Sequence, residues 1–183
     1  MYGCKLPAMP SVIQIPVEAY LDGSFDFEPG AEFIDGDIEE RPMGEFDHST
    51  WQQAIERWFL LHATEWNIRV RCELRVQTSA TRYRIPDVVV FRRDNPIEQT
   101  LTIPPVAVFE ILSPEDRMSR MLVKLADYES MGIGTIRVID PKTRVIYRYE
   151  HDRLEPVGFA VEDLKGLPAA SIDWKALESL LDC

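Results

Sequence analysis

Apolar and polar positions change their period several times along the chain, and each change marks an element. Trp51, Ala54, Ile55, Trp58 and then Leu61 or His62 fall at three- and four-residue steps. The segment from Thr50 to about Trp66 therefore reads as a helix with one apolar stripe, capped by Ser49. From Ile68 to Gln77 the period drops to two (IRVRCELRVQ), the pattern of a strand with one wet face. A turn over residues 78–81 leads into Tyr83 to Phe91, which ends in the unbroken run Val88-Val89-Val90-Phe91. A polar linker with Pro96, Pro104 and Pro105 separates that run from a second apolar strand, Val106 to Leu112. Continuous runs of this kind predict strands covered on both faces.

Ser113-Pro114-Glu115-Asp116 then has the chemistry of a helix start: a capping hydroxyl, a proline at the first position and two acids in the first turn. That helix should run to about Met131 and stop at Gly132. Thr135 to Asp140 and Val145 to Tyr149 flank a turn as an antiparallel pair, and Leu154 to Val157, with the stretch to Ala160, adds an edge strand. An amphipathic helix over Asp173 to Leu181 closes the chain. Upstream, Val17 to Leu21 is a short helical stretch, and Ala31 to Ile38 is a hairpin around Asp35-Gly36. Residues 1–16, with Pro7, Pro10 and Pro16, form an irregular lead-in, and residues 17–183 form a single domain. The order predicts an α/β or α+β layered fold, a mixed β-sheet flanked by helices.

With 31 acidic and 20 basic residues in 183, the net charge is −11. Such a chain does not coat nucleic acid by neutralising phosphates, although a local site supplied with metal ions remains open to it. Cys4, Cys72 and Cys183 are widely spread, without a CxxC or Cys/His pairing, which speaks against structural zinc and for a reducing compartment. No window reaches 18 apolar residues and the N-terminus has no signal-peptide pattern, so the expectation is a cytoplasmic protein without a membrane span.

Two acids interrupt the two most apolar strands: Asp87 opens one run and Glu110 sits near the end of the other. A carboxylate in a buried strand is costly unless it is paired or bound to a cation. Each either makes a salt bridge at a strand end, or the two together offer the oxygens that hard divalent cations prefer. Lys124 falls on a helical stripe with Arg117, Met121 and Tyr128. Either it reaches out to water or, because its helix directly follows the Glu110 strand, it brings an ammonium to both carboxylates.

Ile85-Pro86-Asp87-Val88-Val89-Val90, Phe109-Glu110-Ile111-Leu112-Ser113-Pro114, and Lys124 with Tyr128 and Gly132 resemble one bacterial family. Val138-Ile139-Asp140-Pro141 with the strand from Val145 to Tyr149, and Glu32-Phe33-Ile34-Asp35-Gly36-Asp37 followed by His48, fit the same pattern. It is the "putative restriction endonuclease" family of the PD-(D/E)XK nuclease superfamily, and the resemblance spans residues 17 to 160. It implies a restriction-endonuclease-like sheet and a metal-dependent DNA endonuclease. Asp87, Glu110 and the Ile111 carbonyl would hold Mg²⁺ or Mn²⁺, with Lys124 and Glu32 completing the catalytic set. In the usual D/E-x-K motif the lysine stands two residues after the second acid, where this chain has Leu112; the resemblance implies that Lys124 on the following helix replaces it, with Arg117 or Arg120 as the fallback. Asp35 and Asp37 read as turn residues, and His48 is either a capping or packing residue or part of the site.

Arg69, Arg71, Arg75, Arg82, Arg84, Arg92 and Arg93 form either a basic surface beside the site or a solvated strand face. Double-strand cleavage by so small a chain implies a homodimer, with Ile146, Tyr147, Tyr149 and the C-terminal helix offering apolar surface for it. The competing reading is a nuclease fold that no longer cuts and serves as a binding or assembly module.

Overall fold

The computed structural model describes residues 14–24, 27, 30–41 and 44–181. Most of the predicted lead-in, together with Cys4 and Cys183, lies outside the described residues. Three sheets build the framework. A six-stranded sheet runs in the order β10 (Arg153–Val157), β9 (Val145–Glu150), β8 (Thr135–Asp140), β7 (Ala107–Ile111), β6 (Val88–Arg92), β3 (Ile68–Cys72). Its strands pair antiparallel except β7 and β8, which are parallel. A parallel pair needs a long crossover, and helix α3 (Met118–Met131) provides it. A four-stranded sheet, β2 (Asp37–Glu39), β1 (Glu32–Ile34), β5 (Arg82–Arg84), β4 (Val76–Ser79), holds the predicted hairpin. The pair β11 (Val161–Leu164) and β12 (Leu167–Asp173) forms a two-stranded sheet.

Side-chain alternation along β6 and β7 divides the core in two. Val88, Val90, Ala107, Phe109 and Ile111 pack with Trp51, Ile55 and Phe59 of helix α2 (Phe46–His62) and with Trp174 and Leu177 of helix α4 (Trp174–Glu178). Val89, Phe91 and Val108 face Met121, Leu125 and Tyr128 of α3. The same period of two puts Asp87 on the face of Val89, and Glu110 on the face of Val108. Both carboxylates are thus delivered to the α3 side of one sheet.

Several boundaries depart from the sequence reading. The stretch Ile68 to Gln77 is two strands in two sheets, because Glu73 takes the left-handed conformation (φ +54°) and donates its N–H to the Asp87 carbonyl. Pro86, lacking an N–H, breaks Tyr83 to Phe91 in the same way: β5 joins the small sheet and β6 the large one. Helix α2 begins at Phe46, not Thr50, with Glu45 rather than Ser49 at the cap. Tertiary contacts hold the added turn: His48 within it lies against Asp87, and just beyond it the Gln52 amide donates to the Asp87 carbonyl. The buried stripe continues through Phe59, and Leu61 is exposed. The Ser113 signal closes a turn rather than a helix, since Ser113 N–H donates to the Asp116 carboxylate and Asp116 N–H to the Ser113 carbonyl; α3 starts only at Met118, with Arg117 at the N-cap position and no side-chain cap.

The short helix α1 (Val17–Leu21) is where the sequence puts it. Strands β11 and β12 were not anticipated; their residues carry alanine, proline and acids in place of an apolar alternation. Of the apolar surface assigned to a dimer, Ile146, Tyr149, Trp174 and Leu177 are core residues, while Tyr147 is half-buried. Among the described residues no helix is long and apolar enough to cross a membrane.

Candidate active site

A cavity of about 660 Å³ opens where the end of β7, the segment before β6, the start of α2 and the first turns of α3 meet. Glu32, Arg41, His48, Asp87, Glu110 and Lys124 line its inner part. Four of the sequence-predicted residues, Glu32, Asp87, Glu110 and Lys124, are therefore together, and Ile111 also borders the cavity.

The pairing Val88↔Phe109 sets Asp87 opposite Glu110 across neighbouring strands. Asp87 is almost fully buried; its Oδ2 accepts the Ile111 N–H at 2.6 Å and lies 3.3 Å from His48 Nε2, while its Oδ1 is paired with Arg41. Burial opposes its charge, but His48, Arg41 and Lys124 outweigh burial and hold the carboxyl below the usual range. The N–H and C=O of an extended residue point the same way. Ile111, whose N–H reaches Asp87, consequently turns its carbonyl toward the same strand end.

Glu110 is held by Tyr128 Oη at 2.7 Å on Oε1 and by Lys124 Nζ at 2.8 Å on Oε2. Burial, reinforced by Asp87 and Glu32 against the pull of Lys124, pushes its carboxyl up to about 7. Lys124 is the hub of the cluster. Its ammonium also lies 2.9 Å from Glu32 Oε1 and 3.0 Å from the Ile85 carbonyl, and the carboxylates keep it charged despite burial. The snorkelling alternative is ruled out: Met121 and Tyr128 pack inward, and the lysine between them goes inward too.

Glu32 is tied down on every side, accepting from the Ile85 N–H and from Arg84 Nη1, both at 2.8 Å. Arg84, fully buried, reaches across to Asp127 on α3 at 2.7 Å, so β1, β5 and α3 are fixed to one another beneath the cavity. Asp35 and Asp37 stay outside it; Asp35 turns the hairpin at φ +53° and pairs with Arg82. Of His48, Nδ1 is buried without a hydrogen-bond partner among the described residues, pressed against Gly44 so closely that a Cβ there would come within 2.9 Å.

The proposed arginine surface is not beside the site. Arg84 alone of the seven lines the cavity; Arg69 bonds the carbonyls of Arg93 and Asn95, Arg75 stacks over Tyr20, and Arg92 bonds the Gly166 carbonyl. The cations at the cavity are instead Arg41, Arg117 and Arg120, beside the inner Arg84 and Lys124. Arg41 lay in a polar loop without periodicity and gave no signal in the sequence. Tyr128 did: it stands one turn after Lys124 on the same stripe.

The model of the Uma2 family, described as "Putative restriction endonuclease", matches residues 17–176. The chain belongs to this family. A crystal structure of "a putative nuclease belonging to DUF820" from Anabaena variabilis superposes with a TM-score of 0.76 at 23% identity, covering 91% of this chain and 99% of that one, so the family member shares its fold. A structure of a DrdV–DNA complex aligns with a TM-score of 0.39 at 17% identity, over 72% of this chain and 10% of the other. No curated protein matches the family member described here.

The donor set suits a hard divalent cation: two buried carboxylates on one sheet face, with a main-chain carbonyl beside them. Among the described residues no three His, Cys, Asp or Glu side chains form a cage. Mg²⁺ does not need one, since it commonly binds through one or two carboxylates and keeps several waters.

Proposed function

We propose that this family member is a divalent-metal-dependent DNA endonuclease. The observation that carries the proposal is the meeting of Asp87, Glu110 and the Lys124 ammonium in one open cavity, each from a different element. Asp87, Glu110 and the Ile111 carbonyl are the residues that would hold Mg²⁺ or Mn²⁺. The metal, when bound, would polarise the phosphodiester and make water acidic enough to attack near neutral pH. Lys124 orients the attacking water and offsets the negative charge that grows on the phosphoryl oxygens. Water adds to phosphorus and one P–O bond breaks, leaving a phosphate monoester end and a hydroxyl end. Glu32 holds Lys124 in position, and Tyr128 fixes the Glu110 carboxylate. A homodimer belongs to the same proposal, because one site cuts one strand; light scattering of the purified chain reads it.

A second reading has its own support. Arg84, Lys124 and Arg41 already sit on Glu32, Glu110 and Asp87, as expected of a nuclease fold that only binds. Incubating supercoiled DNA with the protein and Mn²⁺, alongside metal-induced shifts in melting temperature, separates the two. The wild type should nick or linearise DNA and be stabilised by metal. Asp87→Asn should lose both responses, having lost a ligand. Lys124→Met should keep the metal response while cleavage falls by about 10²–10³, the usual loss when one preorganised charge is removed. A wild type with neither cleavage nor metal stabilisation would leave the binding module as the function.

A further inference from the structure

The cations that neutralise the cavity are not held alike. Arg84 is fully buried and anchored to Glu32 and Asp127. Lys124 is anchored to Glu32, Glu110 and the Ile85 carbonyl. Arg41 differs: it stands on the segment after β2, its side chain keeps 19% exposure, and its ion pairs are to Asp87 and, at 3.8 Å, to Glu73 on the surface. It lines the cavity and sits on Asp87 Oδ1, one of the oxygens a metal would need. A divalent cation cannot take that oxygen without confronting a guanidinium. Of these three cations Arg41 has the fewest anchors, and a guanidinium fork matches phosphate oxygens as well as it matches a carboxylate.

We propose that Arg41 has two stations, neutralising Asp87 in the metal-free protein and passing to a phosphate oxygen of the DNA backbone when a divalent cation takes Asp87. This rests on the nuclease reading and adds an order of events to it. The metal does not enter an empty anionic hole; it exchanges with a resident cation, and the exchange frees a phosphate ligand at the cavity. Metal and DNA then favour each other's binding, and by linkage the effect is reciprocal. The ion pairing that favours a non-cutting module becomes, on this account, the resting state of the enzyme.

The test needs no turnover. Mn²⁺ is titrated by calorimetry into the full chain without DNA, and binding of a labelled DNA duplex is measured by anisotropy in Ca²⁺. Arg41→Gln should bind Mn²⁺ about tenfold tighter and DNA about tenfold weaker, each corresponding to about 1.4 kcal/mol. Arg41→Lys keeps the charge but loses the fork, so its Mn²⁺ affinity should stay within about threefold of wild type while DNA binding falls. If Arg41→Gln is too unstable to titrate, its Mn²⁺-induced rise in melting temperature substitutes, and it should exceed that of the wild type. Unchanged or weaker Mn²⁺ binding in Arg41→Gln, or unchanged DNA binding, overturns the proposal while the nuclease reading stands. Absence of Mn²⁺ binding by the wild type overturns both.

Discussion

Glu110 stands one residue before the end of β7, almost fully buried, and its environment decides its proton. Burial is the largest influence, Asp87 and Glu32 add to it, and Lys124 opposes them, so the carboxyl titrates near 7 rather than near 4.5. The folded chain therefore holds this proton more tightly than the unfolded chain does. Its contribution to stability is complete below pH 4.5 and is lost as the pH rises through about 7, an interval worth on the order of 3 kcal/mol. Glu110→Gln imitates the protonated form and removes that dependence. With a chelator present, wild type should lose stability relative to Glu110→Gln as the pH climbs through this window, measured by urea unfolding at a series of pH values. A gap that widens in the other direction would show that Lys124, not burial, governs the group. The residues of this cluster were legible in the sequence to the degree that they broke a pattern. Asp87 and Glu110 stand out as acids in apolar runs, and Lys124 as a cation on a half-apolar stripe. Arg41 and Arg84 break nothing where they stand: arginine in a polar loop or in an alternating strand is what a solvated surface looks like, and only the fold reveals what each one touches.

Elements were legible where a local signal and the tertiary fold agree. Gly132 is the clear case. It ends α3 in the left-handed conformation at φ +95°, and its N–H returns to the carbonyls of Tyr128 and Glu129. A Cβ at this position meets nothing within 4 Å, so Gly132→Ala tests the backbone conformation alone. It should cost about 1 kcal/mol and lower the melting temperature by about 2–4 °C for a chain of this size, while Gly132→Asn, which tolerates the left-handed region, should cost less. Because the side chains of Lys124 and Tyr128 enter the site about two turns and one turn upstream of the cap, cleavage at moderate temperature should be unaffected. The helix starts were misread for the opposite reason. At Ser113 the capping chemistry is present, but it is satisfied within a single turn, and at Phe46 no capping side chain exists while His48 and Gln52 secure the first turns through Asp87. Local propensity is a weak guide where a side chain several strands away supplies the contact. Pro86 and Glu73 show the same limit, each dividing one apparent strand between two sheets.

At the scale of the whole molecule the proposed function requires a chain of net charge −11 to approach a polyanion. The strand arginines do not provide for this, since Arg82 is spent on Asp35 and Asp127, Arg84 lies in the core, and Arg69 and Arg92 bond main-chain carbonyls. What faces the cavity mouth is a short set, Arg41, Arg117 and Arg120, with Glu39, Glu115 and Asp116 among them; Arg120 is itself paired with Glu39 at 2.8 Å. Such a surface neutralises few phosphates directly and leaves the rest of the charge balance to divalent cations. DNA affinity in Ca²⁺ should then fall only gently with monovalent salt. The slope of log K against log salt should be no steeper than about −3, since each neutralised phosphate contributes roughly −0.9. Anisotropy titrations at several NaCl concentrations with Ca²⁺ held fixed measure it, and exchanging Arg117 and Arg120 together for glutamine should flatten the slope by roughly 1–2. Chelating the Ca²⁺ should abolish most of the binding, because it returns Arg41 to Asp87 and withdraws the phosphate ligand from the cavity. A slope near −7 would instead mean that the exposed strand arginines bind phosphate after all, and the DNA path would then run along the β3 edge of the large sheet rather than across the cavity.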